Sequence, residues 1–432
     1  MSRRTLVALA VLGALLLGVC AAVLLAARLL LGVLDRDRSA ASDAPAPTLL
    51  LISIDGFRHD YLGHYPAPTL ERIAREGVRA ARLVPSYPSV TFPNHYTLVT
   101  GLRPEHHGIV GNRFYDPDLD ATFDGGDLAA RAEARWWGGE PIWVTAERQG
   151  RRAMVLSWPG AEAAVGGVRP SQWSPFDGGL PYAARVDTVL AWLDLPPDRR
   201  PAFLTLYFEG VDGAGHSYGP NAPETAAAVA EVDRALARLM DGLDARGLTD
   251  RIHLVVVSDH GMAEMRADRV VVVEDHLGPH ALADVARMLD GEPMGLWPEP
   301  GRADGLYRAL RAARLPHVRV VRREETPAHL HYRASPRIPP ILLMADEGWT
   351  VTTRARWAQR DGPAAPAWGT HGFDPRLPSM GALLLARGPA FRQGVTVGPV
   401  ENVHVYALMA HVLGLRAAPN DGDLRSVRAF LR

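Results

Sequence analysis

Asp55, Thr91, Asp212, His216, Asp259, His260 and His371 are carboxylates, imidazoles and one hydroxyl scattered over more than three hundred positions. That inventory suits two metal ions flanking a hydroxyl nucleophile. Asp212-Gly-Ala-Gly-His216 sets a carboxylate and an imidazole four residues apart in what reads as a Gly-rich loop, able to curl both toward one ion. Asp259-His260 directly follows the apolar run Val255-Val256-Val257-Ser258, and Gly261 then permits a tight turn. His371 stands in Gly369-Thr370-His371-Gly372, whose glycines let the backbone approach a crowded centre. Mixed imidazole and carboxylate ligation suits zinc better than calcium or magnesium, so the expectation is two zinc ions. One Asp-His pair after a strand is more often a turn or a cap; three such groups, all at strand ends, reverse the balance. Thr91-Phe92-Pro93-Asn94 reads as a helix start, with Thr91 just outside it and Pro93 in the first turn. An ordinary N-cap threonine is the plain alternative. A helix N-terminus also binds phosphate through its free N–H groups, and a nearby zinc would make the hydroxyl more acidic. His59, His64, His95 and His253 read as structural or exposed, and His106-His107 as part of a loop.

The elements that must position these groups follow from apolar patterning. Thr48 to Ile54, Ala202 to Phe208 and Ile252 to Val257 are short apolar runs of the kind buried on both faces of a parallel sheet. Each leads into acidic or imidazole residues. Tyr182 to Leu193 and Pro223 to Leu243 carry helical patterns between them, which predicts an α/β sheet flanked by helices. Ligands in such sheets sit at the carboxyl ends of the strands. Residues 270–340 are less regular and read as an inserted cap subdomain; Gly381 to Ala386 and Val403 to Leu413 return to the core pattern.

Composition narrows the options further. With 432 residues and a formal charge of −1, the chain has a large core and no broad basic surface of the kind nucleic-acid binders carry. Every cationic side chain is Arg, which suggests a GC-rich bacterial source. Cys20, the only cysteine, falls in an apolar run, so thiolate ligands and disulfides are excluded from the folded body. Ser2-Arg3-Arg4 precedes an uncharged stretch from Thr5 to Ala27, long enough to cross a bilayer and longer than a usual cleavable signal. The expected organisation is therefore a signal anchor over 1–34, an Ala/Pro/Ser tether over 35–47 and an outward-facing catalytic domain over 48–432. Cleavage near Ser39 to Pro47, giving a secreted body, is the alternative. A lipoprotein reading is weaker, because bulky Val19 precedes Cys20.

The order Asp55, Thr91 in Thr-Phe-Pro-Asn-His, Asn112, Asp212-xxx-His216, Asp259-His260-Gly261 and His371-Gly372 resembles the nucleotide pyrophosphatase/phosphodiesterase family of the alkaline phosphatase superfamily. Trp136-Trp137-Gly138-Gly139-Glu140-Pro141-Ile142-Trp143, Ser157-Trp158-Pro159-Gly160, Ile338-Pro339-Pro340-Ile341, Ala345 to Thr350 and Glu401 to Tyr406 extend the likeness. The resemblance implies an alkaline phosphatase-like sheet and a nucleotide or other phosphodiester substrate. It implies one zinc on Asp212, His216 and His371, and another on Asp55, Thr91, Asp259 and His260. Thr91 would attack phosphorus to give a covalent threonine intermediate, and Asn112 would donate to a non-bridging oxygen. Phe92 and Phe176 would stack on the base, and nucleoside 5′-monophosphate would be released. Two departures stand out: Phe176 where members often have Tyr, and Val90 where several animal members have Lys. Sulfatases need Cys or Ser at the nucleophile, and monoester hydrolases need strong cationic contacts that Asn112 does not supply. Lysophospholipid or glycerophosphocholine cleavage is the alternative inside the enzyme class; a silent binding ectodomain conflicts with the complete ligand set.

Overall fold

The computed structural model describes residues 47–360 and 367–432, so the expected anchor and most of the tether lie outside the described residues. Leu49–Ile54 forms a fully buried strand at the heart of an eight-stranded sheet. It pairs in parallel with Phe203–Phe208 on one side and His253–Val257 on the other. Ala153–Leu156 and Gln172–Ser174 continue the parallel set beyond Phe203–Phe208. Beyond His253–Val257, Leu384–Arg387 runs antiparallel, followed by Val78–Ala80 and Val395–Val397. The sheet is therefore mostly parallel, as the patterning predicts.

Side chains on a strand alternate between faces, and the central strand uses both. Leu49 and Leu51 enter one apolar cluster with Leu98, Val99, Tyr406 and Met409. Leu50, Ile52 and Ile54 enter the opposite one with Val186, Val189, Val229, Val232 and Leu236. The second face is covered by the helices Tyr182–Leu193 and Pro223–Asp244, the latter beginning with its proline where the missing N–H is harmless. Fully burying each such aliphatic side chain stabilises by about 1.5–3 kcal/mol, which makes the central strand a rigid mount for whatever follows it.

Val285–Leu289, Met294–Pro298, Ile341–Ala345 and Val318–Arg322 form a separate four-stranded antiparallel sheet in that spatial order. With the helix Ala303–Ala312 it has its own cluster around Met294, Leu296, Leu306, Leu310 and Leu343. The sheet runs past residue 340 because Ile341–Ala345 pairs here and not in the central sheet. Within the run from Gly381 to Ala386 the strand begins only at Leu384; Ala382 instead makes isolated bridges to Arg58 and Leu83. Among the described residues no helix is long and apolar enough to cross a membrane.

Candidate metal centre and active site

Asp55 ends the central strand, and its N–H donates to Phe208 O at 2.9 Å, continuing the ladder into the turn. Asp259 and His260 follow the neighbouring strand His253–Val257. Asp212 and His216 follow the strand on the other side, but on the helix Gly210–Tyr218 and not in the expected loop. Their four-residue spacing puts them on one helix face. Glycines weaken isolated helices, yet close packing demands two of the three here: a Cβ on Gly210 would meet Tyr182 Oη at 2.6 Å and one on Gly215 would meet Met262 at 2.9 Å, while one on Gly369 in the facing ribbon would meet Gly215 O at 2.4 Å. Gly56 serves the same end from the strand side. Its φ of +65° favours glycine, and a Cβ there would lie 2.9 Å from Asp212. His371 follows Trp368–Thr370, which pairs antiparallel with Ala263–Met265.

Thr91 is the first residue of the helix Thr91–Thr100, with extended Val90 as its N-cap, so it stands one position further inside than expected. Nothing in its side chain caps the helix, and the hydroxyl lies 3.4 Å from His260 Nε2.

Two groups of ligand-type atoms result: Asp212, His216 and His371, and Asp55, Asp259 and His260. His260 Nε2 lies 3.0 Å from Asp259 Oδ2 and 3.5 Å from Asp55 Oδ1. His216 and His371 Nε2 each lie 3.5 Å from Asp212. The three Nδ1 atoms face carbonyl oxygens of Gly369, Ser89 and Gly261, each at 2.9 Å, and must donate to them. In the neutral rings this fixes Nε2 as a bare lone pair turned inward. The Nε2 atoms of His216 and His371 then oppose each other at 3.0 Å with no hydrogen to share. Asp55 Oδ1, Asp212 Oδ1 and Asp259 Oδ2 are likewise buried without hydrogen-bond partners. A cation in each group satisfies all of these atoms, and the donor set fits one.

The electrostatics carry the same signature. Burial, then Asp259 and Asp212, push the Asp55 carboxyl well above its usual range, and burial also raises Asp212. Burial opposes charge on Asp259 as well, but His260 and His95 outweigh it and hold that carboxyl well below the usual range. His371 is kept well below the ordinary imidazole value by burial and by the neighbouring His260 and His216. Its ring stacks on His260 at 3.6 Å between centroids, so the two groups share a wall.

Side chains not singled out as ligands support the constellation. His95 is fully buried; its Nδ1–H donates to Thr91 O at 3.0 Å and lies 3.3 Å from Asp259 Oδ2, while Ser53 Oγ donates to its Nε2 at 2.8 Å. The sequence signal was its position four residues after Thr91 on the same helix face. Tyr207 Oη donates to Asp55 Oδ2 at 2.6 Å, a partner 152 positions away that no local pattern reveals. His106-His107 belongs to the short helix Pro104–His107, where His107 is buried against Thr97 Oγ1 at 3.0 Å.

Asn112 Oδ1 accepts the N–H of Phe92 at 2.8 Å, which leaves its amide NH₂ as a donor beside Thr91. Thr91, Phe92 and Asn112 open onto a cleft of about 650 Å³, with Phe176 across it. Phe176 is 38 % exposed and meets Tyr207 edge-on at 5.7 Å. Buried Arg185 holds the segment behind it, donating to Asp177 O and Leu180 O at 3.2 and 3.0 Å with its guanidinium 5.7 Å from the Phe176 ring.

Residues 49–374 match the family model described as type I phosphodiesterase / nucleotide pyrophosphatase. The chain is 36 % identical over 392 residues to the Xenopus laevis protein named bis(5′-adenosyl)-triphosphatase enpp4, covering 90 % of this chain and 83 % of that one. Human ectonucleotide pyrophosphatase/phosphodiesterase family member 1 is 35 % identical over 89 % of the chain, which spans only 42 % of that longer protein. The chain likewise spans about half the length of the Crotalus venom phosphodiesterases it matches. Among solved structures, an inactive variant of murine ectonucleotide pyrophosphatase/phosphodiesterase 5 in complex with AMP superposes with a TM-score of 0.83 at 31 % identity, over 89 % of this chain and 100 % of that one. With its alkaline phosphatase-like α/β fold, the chain belongs to the type I phosphodiesterase / nucleotide pyrophosphatase family, hydrolases of phosphoric ester and anhydride bonds.

Proposed function

We propose that the chain is a two-zinc phosphodiesterase and pyrophosphatase that releases nucleoside 5′-monophosphate through a covalent threonine intermediate. The observation that carries this reading is the pair of ligand groups, with inward-facing Nε2 atoms, flanking a hydroxyl at a helix N-terminus. Asp212, His216 and His371 would hold one zinc; Asp55, Asp259, His260 and Thr91 would hold the other. Zinc held there supplies Lewis-acid stabilisation of the attacking and leaving oxygens.

The chain's own groups do the rest. Thr91 Oγ1 forms a bond to phosphorus as the bond to the leaving oxygen breaks, and water later cleaves the threonine ester. The free N–H groups of the first helical turn face the phosphoryl oxygens. Asn112 donates its amide to a non-bridging oxygen as charge develops there, a contribution whose removal typically slows such reactions by about 10²–10³. Phe92 and Phe176 sandwich the base across the cleft. A diester carries one charge and an organic substituent, which matches one amide donor beside an aromatic cleft. We infer further that the body faces outward on its apolar N-terminal segment. That places it on the periplasmic or extracellular side, and full protection from protease added to spheroplasts, with the outer membrane removed, would overturn the placement.

The deciding experiment compares zinc-dependent hydrolysis of a nucleoside 5′-phosphate aryl ester, an aryl phosphocholine and an aryl monophosphate. The nucleotide ester is expected to dominate. A dominant phosphocholine rate would move the function to lipid head groups, a dominant monoester rate would overturn the role of Asn112, and no activity would leave a binding ectodomain.

A further inference from the structure

The aromatic cleft contains a pair of charges that the reaction does not use. Glu162 and Arg131 line it beside Phe92 and Phe176. Their side chains are only 2 % and 12 % exposed, yet the closest approach, Arg131 Nε to Glu162 Oε1, is 3.6 Å, too long for a hydrogen bond. Arg131 Nε and Glu162 Oε2 are both buried without a partner. Burial pushes the Glu162 carboxyl up, against the pull of its own backbone N–H and of Arg131. Leaving a donor and an acceptor unmade side by side is costly for stability, and a pair kept only for the fold would close the gap.

The backbones that carry both side chains are pinned at their carbonyls. Trp137 Nε1 donates to Arg131 O at 2.9 Å, and Arg169 Nε donates to Glu162 O at 3.1 Å. The segment that carries Glu162 enters through Ser157, a non-glycine residue at φ +57°, and is tied to the catalytic helix where Trp158 Nε1 donates to His95 O at 3.1 Å.

We propose that Glu162 and Arg131 read the hydrogen-bonding edge of the base and favour guanine, an inference that rests on the phosphodiesterase reading above. A base held between aromatic rings turns its polar edge to the cleft wall, and here that wall offers an acceptor beside a donor. Guanine presents two adjacent donors, N1–H and N2–H, next to the O6 acceptor. A carboxylate takes both donors and a guanidinium takes O6. Adenine and cytosine each offer one amino group beside a ring acceptor, and thymine offers one N–H between two carbonyls, so each leaves part of the buried pair unmatched. A site built to hydrogen-bond a substrate group discriminates strongly against analogues that lack it.

The test measures kcat/KM of the full-length zinc-loaded chain for the p-nitrophenyl esters of GMP, AMP and TMP. The guanine ester should lead by about tenfold or more. Glu162→Gln should lower the guanine ester most, bringing its kcat/KM to within about twofold of the other two, with zinc content unchanged. Arg131→Gln, at the more accessible partner, should do the same and stands in if Glu162→Gln does not fold. Equal kcat/KM for the three bases, or variants that slow all three alike, would overturn the base assignment and leave the phosphodiesterase reading standing. Hydrolysis of none of the three would remove both.

Discussion

The two ligand groups are unlike in their surroundings. Asp55, Asp259 and His260 have side chains 3, 0 and 0 % exposed, whereas Asp212, His216 and His371 are 19, 41 and 7 % exposed. The first group grows from the ends of two adjacent central strands; the second rests on a short helix and a two-stranded ribbon at the cleft. Chemistry that needs one fixed oxygen and one exchangeable one is well served by that asymmetry. On the proposed mechanism the buried group would hold the Thr91 hydroxyl, which lies 3.4 Å from His260 Nε2, and the open group would face arriving water and departing product.

The sharpest way to break this picture is Thr91→Ala, which should lower turnover by about 10⁴-fold or more while both zinc equivalents stay bound. Substantial residual activity would remove Thr91 as the nucleophile. Next come the paired ligand variants. Asp259→Asn should remove a zinc equivalent and lower the melting temperature markedly, because it empties a cradle built into the core; Asp212→Asn should remove one with little change in melting. Identical effects on metal content and melting would show that the two cradles are not distinct. Graded chelation should likewise strip one equivalent before the other, and the Asp212→Asn protein should lack the early phase; simultaneous loss would contradict the ranking. Tyr207→Phe deletes the hydrogen bond that orients Asp55 and should weaken zinc in the buried cradle by about tenfold, read by competition with a chelating dye.

The smallest effect concerns Glu292, which lines the narrower cleft beside His216 and His371 and accepts the N–H of Ala345 at 2.8 Å. Burial pushes its carboxyl up from 4.5 to about 8. The folded state therefore binds the proton more tightly than the unfolded chain, and this group's contribution to stability falls as pH rises from 4.5 to about 8. Partial solvent access moderates the size. Glu292→Gln should raise the melting temperature at pH 8 by a few degrees, about the shift expected for 1 kcal/mol, and leave it unchanged at pH 4. An equal change at both values would deny the titration.

How much of this is legible in the sequence depends on how local each cause is. The central strands are visible because burial on both faces writes an unbroken apolar run, as from Leu49 to Ile54. Helix Pro223–Asp244 is visible through its period and its first-turn proline. The helix carrying Asp212 and His216 is not, because Gly215 answers to Met262 and to the ribbon around Gly369 rather than to local propensity. Tyr207, Arg131 and Glu162 escape notice for the same reason: each acquires its meaning from a partner far along the chain. His95 lies between these cases, since its register with Thr91 is readable but its contact with Asp259 is not.

The central strand has a last consequence, for the timing of assembly. Its neighbours at Phe203 and His253 are made long after it, and His371 later still. A nascent chain thus carries Asp55 without a partner until Tyr207 and Phe208 are made, and without Asp259 and His260 until past its midpoint. Truncated products ending before His371 own the inner cradle but never the outer one. The outer group is therefore completed last, and only a chain that has reached His371 can offer all six of the clustered carboxylates and imidazoles.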